Sequence, residues 1–402
     1  MPLAFRLVET LSDLQALCDS LADETTLAVD IEADSFHHYF PKICLVQIST
    51  RQDTYVVDPL ATGTIAPLLP VLTNDAVKKV FHGADYDLRS LHREYGVQVE
   101  NLFDTMVASQ YLGEKDLGLA AALKKRFGVV LDKKFQKANW SKRPLPQDML
   151  VYAAHDTAYL LQLFRQLQQE LRRVGRLEWA EEEFRLLCRG CCEGGNGRAR
   201  GAYSATAVSE PKPEILDTPL FRRFKGAGAM KPRDLAVLEQ ILVYRETLAM
   251  RQDRPPFKIF GNELVKELVQ AKPAQDPDLK TLTGLPKGFM SRYGKGVLQA
   301  IRRGLSVPDN RLPSFPKTRR PSVDHRKQAR LKRLKQWRDK KASQLALDPG
   351  LVCNNALLEA MAAADPRDME SLDKIPGIKT WQKDTLGKEI VEIIKTPGRQ
   401  AG

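Results

Sequence analysis

Between Thr26 and Gly83 the chain repeats one pattern: a short apolar, β-branched run, then turn residues. "LAVDIEA" around Asp30, "CLVQIST" around Gln47, "TYVVDP" around Val56 and "KKVFHG" ending at Gly83 all fit it, and the pattern predicts strands. The period then changes. Leu88, Leu91 and Tyr95 recur at helical spacing, as do Leu119, Leu123 and Phe127, and Asp148 to about Leu171 reads as one long amphipathic helix. Strands leading and helices following predict an α/β domain with a mixed central sheet and flanking helices.

The stretch from Arg189 to Glu214 is rich in Gly, Ser, Ala and Pro and reads as a linker. Beyond it the pattern is helical throughout and repeats itself. Tyr244-Arg245 recurs as Trp337-Arg338, and "NELVKELVQAKP" from Asn262 as "NALLEAMAAADP" from Asn355, both at an offset of 93. "LTGLP" from Leu282 recurs as "LDKIPG" from Leu372. Matched blocks in one order predict two copies of a small helical module. The resulting layout is an α/β domain over 1–172, a linker over 189–229, a helical module over 230–310, a basic linker or helix over 312–336 and a second module over 337–398.

Composition supports several packed units. The 402 residues exceed one ordinary core, 43% are apolar and 28% are charged, which excludes wholesale disorder. No run reaches membrane-spanning length and no leader pattern opens the chain, so a cytoplasmic protein is expected. Only Cys188, Cys191 and Cys192 lie close together among six cysteines, and without a second cluster they predict reduced thiols rather than a zinc site.

Charge changes the picture more. The net charge is +12, yet residues 1–170 hold 22 acidic and 17 basic side chains, leaving the surplus to the second half. Lys317 to Lys341 alone holds twelve basic and two acidic residues. A one-signed run beside helical modules predicts contact with a phosphate backbone, with Lys317, Arg319, Arg320, Arg326, Lys327, Arg330, Lys332 and Arg333 as the contacting residues. Such contacts supply affinity and salt dependence but little sequence choice.

The acids of the first domain suggest what is done to that polyanion. Asp30 and Glu32 are two apart on a strand and share a face, where their mutual repulsion favours a cation. Asp85 or Asp87 lies just past the strand ending at Gly83, the end at which open α/β sheets gather ligands. Tyr152 and Asp156 are four apart on a helix and share a face; His155, one step from Asp156, turns away by about 100°. Asp30, Glu32, Asp87 and Asp156 together suit two divalent ions, and oxygen ligands favour Mg2+ or Mn2+. Tyr152 is placed to orient a water.

The order of these motifs resembles the tyrosine-type DEDD 3′–5′ exonucleases, most closely the bacterial ribonuclease D family. The resemblance rests on "DIE" at Asp30, "HGADYDL" at His82, "NLFDT" at Asn101, "RPLP" at Arg143 and "YAAHDTAYLL" at Tyr152; the helical copies resemble HRDC domains. It implies an RNase H-like fold, metal binding by Asp30, Glu32, Asp87 and Asp156, and a water-orienting role for Tyr152. It further implies a structural role for Asp104. Ala33 stands where the family carries a bulky apolar residue packing on the terminal nucleotide, and with His82 it is expected to support the substrate pocket. The implied substrate is the 3′ end of RNA, notably tRNA precursors, shortened to nucleoside 5′-monophosphates, with no membrane and no obligate protein partner. The rivals are a DNA exonuclease of the same superfamily and an inactive nucleic-acid-binding adaptor; the latter conflicts with the presence of all four acids.

Overall fold

The computed structural model describes residues 3–193, 218–316 and 324–396. These fall into two compact units, one of residues 3–33, 43–193 and 324–396 and the other of residues 34–42 and 218–316. No helix among the described residues is long and apolar enough to cross a membrane.

The first unit is built on a six-stranded mixed sheet. Its strands are β1 (Arg6–Val8), β2 (Thr26–Ala33), β3 (Ile43–Ser49), β4 (Thr54–Val57), β5 (Lys78–Phe81) and β6 (Leu102–Asp104), in the order β1-β4-β3-β2-β5-β6. β2 is antiparallel to β3 and parallel to β5, so it is an interior strand. Its apolar residues Leu27, Ala28, Val29 and Ile31 are buried accordingly. The four strands expected from β-branched runs are present. β1 and β6, three residues each, are additions.

The single helix expected from Asp148 to about Leu171 is two. Gln147–Ala158 ends at Tyr159, and Leu160–Arg173 follows. The halves serve different apolar clusters. Ala153 and Ala154 pack with Leu45, Val56 and Trp140, whereas Leu163 and Phe164 pack with Phe103 and Phe184. The bend at Tyr159 lets one segment line both.

The expected linker over 189–229 is shorter at both ends. Helix Leu177–Glu193 extends into it, and Phe221 and Phe224 are buried in the core of the first helical module; residues 194–217 lie outside the described residues. The boundary expected at 336/337 falls inside one helix, His325–Leu345, capped by the Asp324 side chain. Leu334 and Trp337 are buried along it, so the basic run is amphipathic as well as charged and its second half is the opening helix of the second module.

The two modules repeat in detail. Pro256–Ile259, Asn262–Ala271 and Asp276–Lys280 recur as Pro349–Val352, Asn355–Ala364 and Met369–Asp373. Lys272 and Asp365, which end the equivalent helices, both take left-handed backbone (φ 46° and 52°). In the first module Gly304 lies against the Val237 backbone, where a Cβ would have no room. The second module packs within the first unit. Trp381 stacks on Trp179 at 4.2 Å. The Glu182 carboxylate accepts from the backbone N–H groups of Thr380 (2.7 Å) and Trp381 (3.0 Å), supplying acceptors to the free N-terminus of helix Thr380–Lys395.

Candidate active site

Three elements bring the acids together. β2 delivers Asp30 and Glu32 on one face, and its pairing with β3 shifts register between Glu32 and Ala33, an irregularity of the kind that bends a strand and re-aims its side chains. Helix Asp85–Tyr95 delivers Asp87 in its first turn. Helix Gln147–Ala158 delivers Tyr152 and Asp156.

Carboxylate oxygens of Asp30, Glu32 and Asp156 lie within 4.8 Å of one another, and all three residues are half-buried. Asp87 is buried (7% exposed). Burial pushes the Asp30 carboxyl well above its usual range, and the charges of Asp87, Asp156 and Glu32 push it further. Glu32 is raised by burial and then by Asp156 and Asp87. Asp87 is raised by burial and then by Asp104 and Asp85. Burial lifts Asp156 to about 7. The charged side chains acting on Asp30 are thus all anionic. A converging set of oxygen donors held in mutual repulsion suits a hard divalent cation; Asp30, Glu32 and Asp156 form a potential metal site.

The turn before Asp87 is fixed by Asp104. Its carboxylate accepts from the N–H groups of Gly83 (2.9 Å) and Ala84 (2.8 Å), and also from Met106 (2.8 Å) and Val107 (3.2 Å) at the start of the next helix. Gly83 has a φ of +77°, where a side chain would be strained. Asp85 is turned outward and paired with Arg89 at 2.6 Å. His82 is half-buried beside this turn. The Thr105 hydroxyl donates to the Phe81 carbonyl (3.0 Å) and so accepts from His82 Nδ1 (2.9 Å). Burial lowers the pKa of His82, which makes it a neutral brace between β5 and the helix after β6. Ala33 ends β2 past the register shift.

Tyr152 is half-buried, its ring edge-on to Phe135 (5.8 Å) and tilted against Trp140 (6.0 Å). Burial, then Asp156, Glu32 and Asp30, push its hydroxyl above the ordinary tyrosine value, so it keeps its proton at neutral pH. Two recesses, of about 310 and 640 Å³, open beside Tyr152 and Asp156. Lys115, Gly118 and Lys133 line the smaller, and Val130, Phe135 and His155 the larger. The His155 ring nitrogen Nδ1 is bound to the Val151 carbonyl at 2.7 Å, within its own helix.

Phe135 and Trp140 are contributors that sequence reasoning missed, because their loop lacks periodicity. Arg143 ties that loop down. It grips Asp58 bidentately and donates to the carbonyls of Trp140 (2.6 Å) and Cys44 (3.0 Å). The "RPLP" motif is a visible trace of this clamp.

The basic residues divide. Lys317, Arg319 and Arg320 lie outside the described residues. Arg326 and Lys332 are exposed and Lys327 half-exposed on helix His325–Leu345. Arg330 and Arg333, expected on a nucleic-acid surface, are engaged internally. Arg330 Nε donates to the Ala362 carbonyl (2.9 Å) and its guanidinium meets Asp365 (3.4 Å). Arg333 Nε donates to the Ile393 carbonyl (3.3 Å). Each satisfies the carbonyl end of a neighbouring helix, where cations are favoured.

Comparison with known proteins agrees with this architecture. A 3′–5′ exonuclease family model matches residues 5–172, and an HRDC domain model matches residues 234–301 and 327–394. The chain is 34% identical to ribonuclease D of Acidiphilium cryptum over 310 residues, 76% of this chain and 74% of that one. It superposes on the crystal structure of Escherichia coli RNase D with a TM-score of 0.69 at 20% identity, covering 98% of this chain and 99% of that one, a likeness of fold. The catalytic core of RRP6 from Trypanosoma brucei gives a TM-score of 0.61 at 30% identity, over 75% of this chain and 80% of that one.

Proposed function

The chain belongs to the ribonuclease D family, and on that premise we propose that it is a metal-dependent 3′–5′ exoribonuclease trimming tRNA precursors and other structured RNAs. The products are nucleoside 5′-monophosphates, and the reaction is phosphodiester hydrolysis at two divalent ions. Asp30, Glu32, Asp87 and Asp156 are the residues to hold them. The observation that carries this reading is the convergence of carboxylate oxygens from Asp30, Glu32 and Asp156 within 4.8 Å on two different elements, with Asp87 acting on the same group.

When bound there, Mg2+ or Mn2+ supplies positive charge to the scissile phosphate and acidifies a water. The protein's own groups do the positioning. Tyr152 offers a protonated hydroxyl beside Asp156, suited to orient a water by hydrogen bonding and not to remove its proton. Phe135 and Trp140 restrict its ring. The two recesses lined in part by Tyr152 and Asp156 give a terminal nucleotide room beside them. Arg326, Lys327 and Lys332, accessible cations on helix His325–Leu345, are open to RNA phosphates, an interaction weakened by salt.

Digestion of a defined 3′-extended tRNA with Mg2+, scored by product length beside single-stranded DNA of equal length, tests this reading. Stepwise shortening with release of 5′-monophosphates is expected, faster on the RNA. Faster cleavage of DNA, or internal cuts, would overturn it. Reversing Arg326, Lys327 and Lys332 to Glu in the same assay should flatten the salt dependence of tRNA binding. An unchanged slope would remove this helix from the RNA surface.

A further inference from the structure

Gln47 is fully buried (0% exposed) on β3, and neither its amide oxygen nor its amide nitrogen has a hydrogen-bond partner among the described residues. A buried amide left unpaired bears its full desolvation penalty, and an apolar side chain of the same shape would avoid it. Such a group in the middle of a β-branched strand calls for a partner.

Its place in the sheet names one. Gln47 stands directly opposite Asp30 in the antiparallel register of β2 and β3. Residues so paired project from the same face, with Cβ atoms about 4.5–5.5 Å apart. Two residues along, the Ser49 hydroxyl meets that of Thr157 at 2.8 Å. Two residues back, Leu45 packs with Ala153 and Ala154. Gln47 therefore sits on the face covered by helix Gln147–Ala158, beside Asp30 and beneath the helix that carries Tyr152 and Asp156.

Resting on the metal-site reading above, we propose that Gln47 is a positioning residue: when a divalent cation is bound, its amide nitrogen, unpaired here, donates to the Asp30 carboxylate opposite it and fixes that carboxylate for the cation. The residue type fits the task. A lysine here would neutralise the acids and compete with the cation, and an acid would add another negative charge. A neutral amide donates without doing either. Carboxylates that bind metal are commonly held by such outer hydrogen bonds, and their loss costs about 10–100-fold in metal affinity.

The test is Mn2+ binding to the full-length protein, followed by electron paramagnetic resonance, for wild type, Gln47→Met, Gln47→Leu and Asp30→Asn. Met and Leu keep the volume, and Leu serves if Met does not fold. Expected for both is about a tenfold or greater loss of Mn2+ affinity, with a melting temperature in chelator no lower than wild type. In cleavage assays, raising the metal concentration should recover most of the turnover. Affinity within about twofold of wild type would overturn the proposal. So would a drop in melting temperature in chelator matching the lost affinity, the mark of a packing role. If Asp30→Asn binds Mn2+ as wild type does, the metal-site reading itself fails. If Asp30→Asn loses Mn2+ and the Gln47 variants keep it, Gln47 alone is misassigned.

Discussion

The carboxylate site and the repeated arginine of the helical modules bury charge in opposite ways. Asp30, Glu32, Asp87 and Asp156 stand close to one another, and the neighbours acting on Asp30 carry its own sign. Arg245 is as enclosed as Asp87 (8% exposed) but donates to the Phe260 carbonyl (3.1 Å) and to Asn262 Oδ1 (2.8 Å). Its repeat, Arg338, makes the same pair of bonds, to the Cys353 carbonyl (3.4 Å) and Asn355 Oδ1 (2.8 Å). Paired charge holds a fold together, whereas unpaired like charge is tolerated only where a ligand is to come.

The sharpest test of the contrast is Asp30→Asn. Cleavage of 3′-extended tRNA should fall to background, because an oxygen donor and a negative charge are both lost from the metal site. Stability in chelator should move the other way, with melting higher by about 2–4 °C as repulsion is relieved. The pH dependence follows the same logic. The folded-state pKa of Asp156 is raised from 3.8 to about 7, so between those values the folded chain binds more protons than the unfolded one. Stability in chelator therefore decreases as pH rises through this window. Asp156→Asn should remove that component from denaturation curves taken from pH 4 to 7. A stability that rises with pH because of Asp156 would mean that the site is internally compensated and not awaiting a cation.

The paired side of the comparison breaks differently. Arg245→Met leaves a buried carbonyl and an asparagine oxygen without their donor, at a cost of about 2–3 kcal/mol. Arg338→Met should cost less, because the Arg338 side chain is 14% exposed and also pairs with Asp339 at 2.9 Å. Hydrogen exchange resolves the two, since protection should fall in Asn262–Ala271 for the first variant and in Asn355–Ala364 for the second. Equal losses in both modules would show that the repeat has one energetic role whatever its exposure.

What could be read in advance follows from the same physics. Asp30 and Glu32 were visible because acids interrupt a strand whose other residues are apolar. The Arg245 and Arg338 pair was visible because a repeated module repeats its bonds. Gln47 was not, since an amide within "CLVQIST" looks like ordinary alternation until β3 is laid beside β2. The bend at Tyr159 was hidden because neither Pro nor Gly marks it and the apolar spacing runs through it. Arg330 and Arg333 show the limit of charge counting: composition marks a basic run but cannot tell a phosphate contact from a guanidinium on a helix end.

The smallest effect is expected from the residue that most resembles a catalyst. His155 borders the larger recess, one position from Asp156, yet it belongs to the paired class. Its Nδ1 is bound to the Val151 carbonyl (2.7 Å) and its ring stacks on Tyr159 at 6.5 Å. The bond lies within one turn of its own helix, so removing the ring leaves the backbone ladder intact. His155→Ala should shift stability by no more than about 0.5 kcal/mol and leave most of the turnover in place. A loss matching that of Asp156→Ala would put His155 in the chemistry and erase the line drawn between paired and unpaired groups at this site.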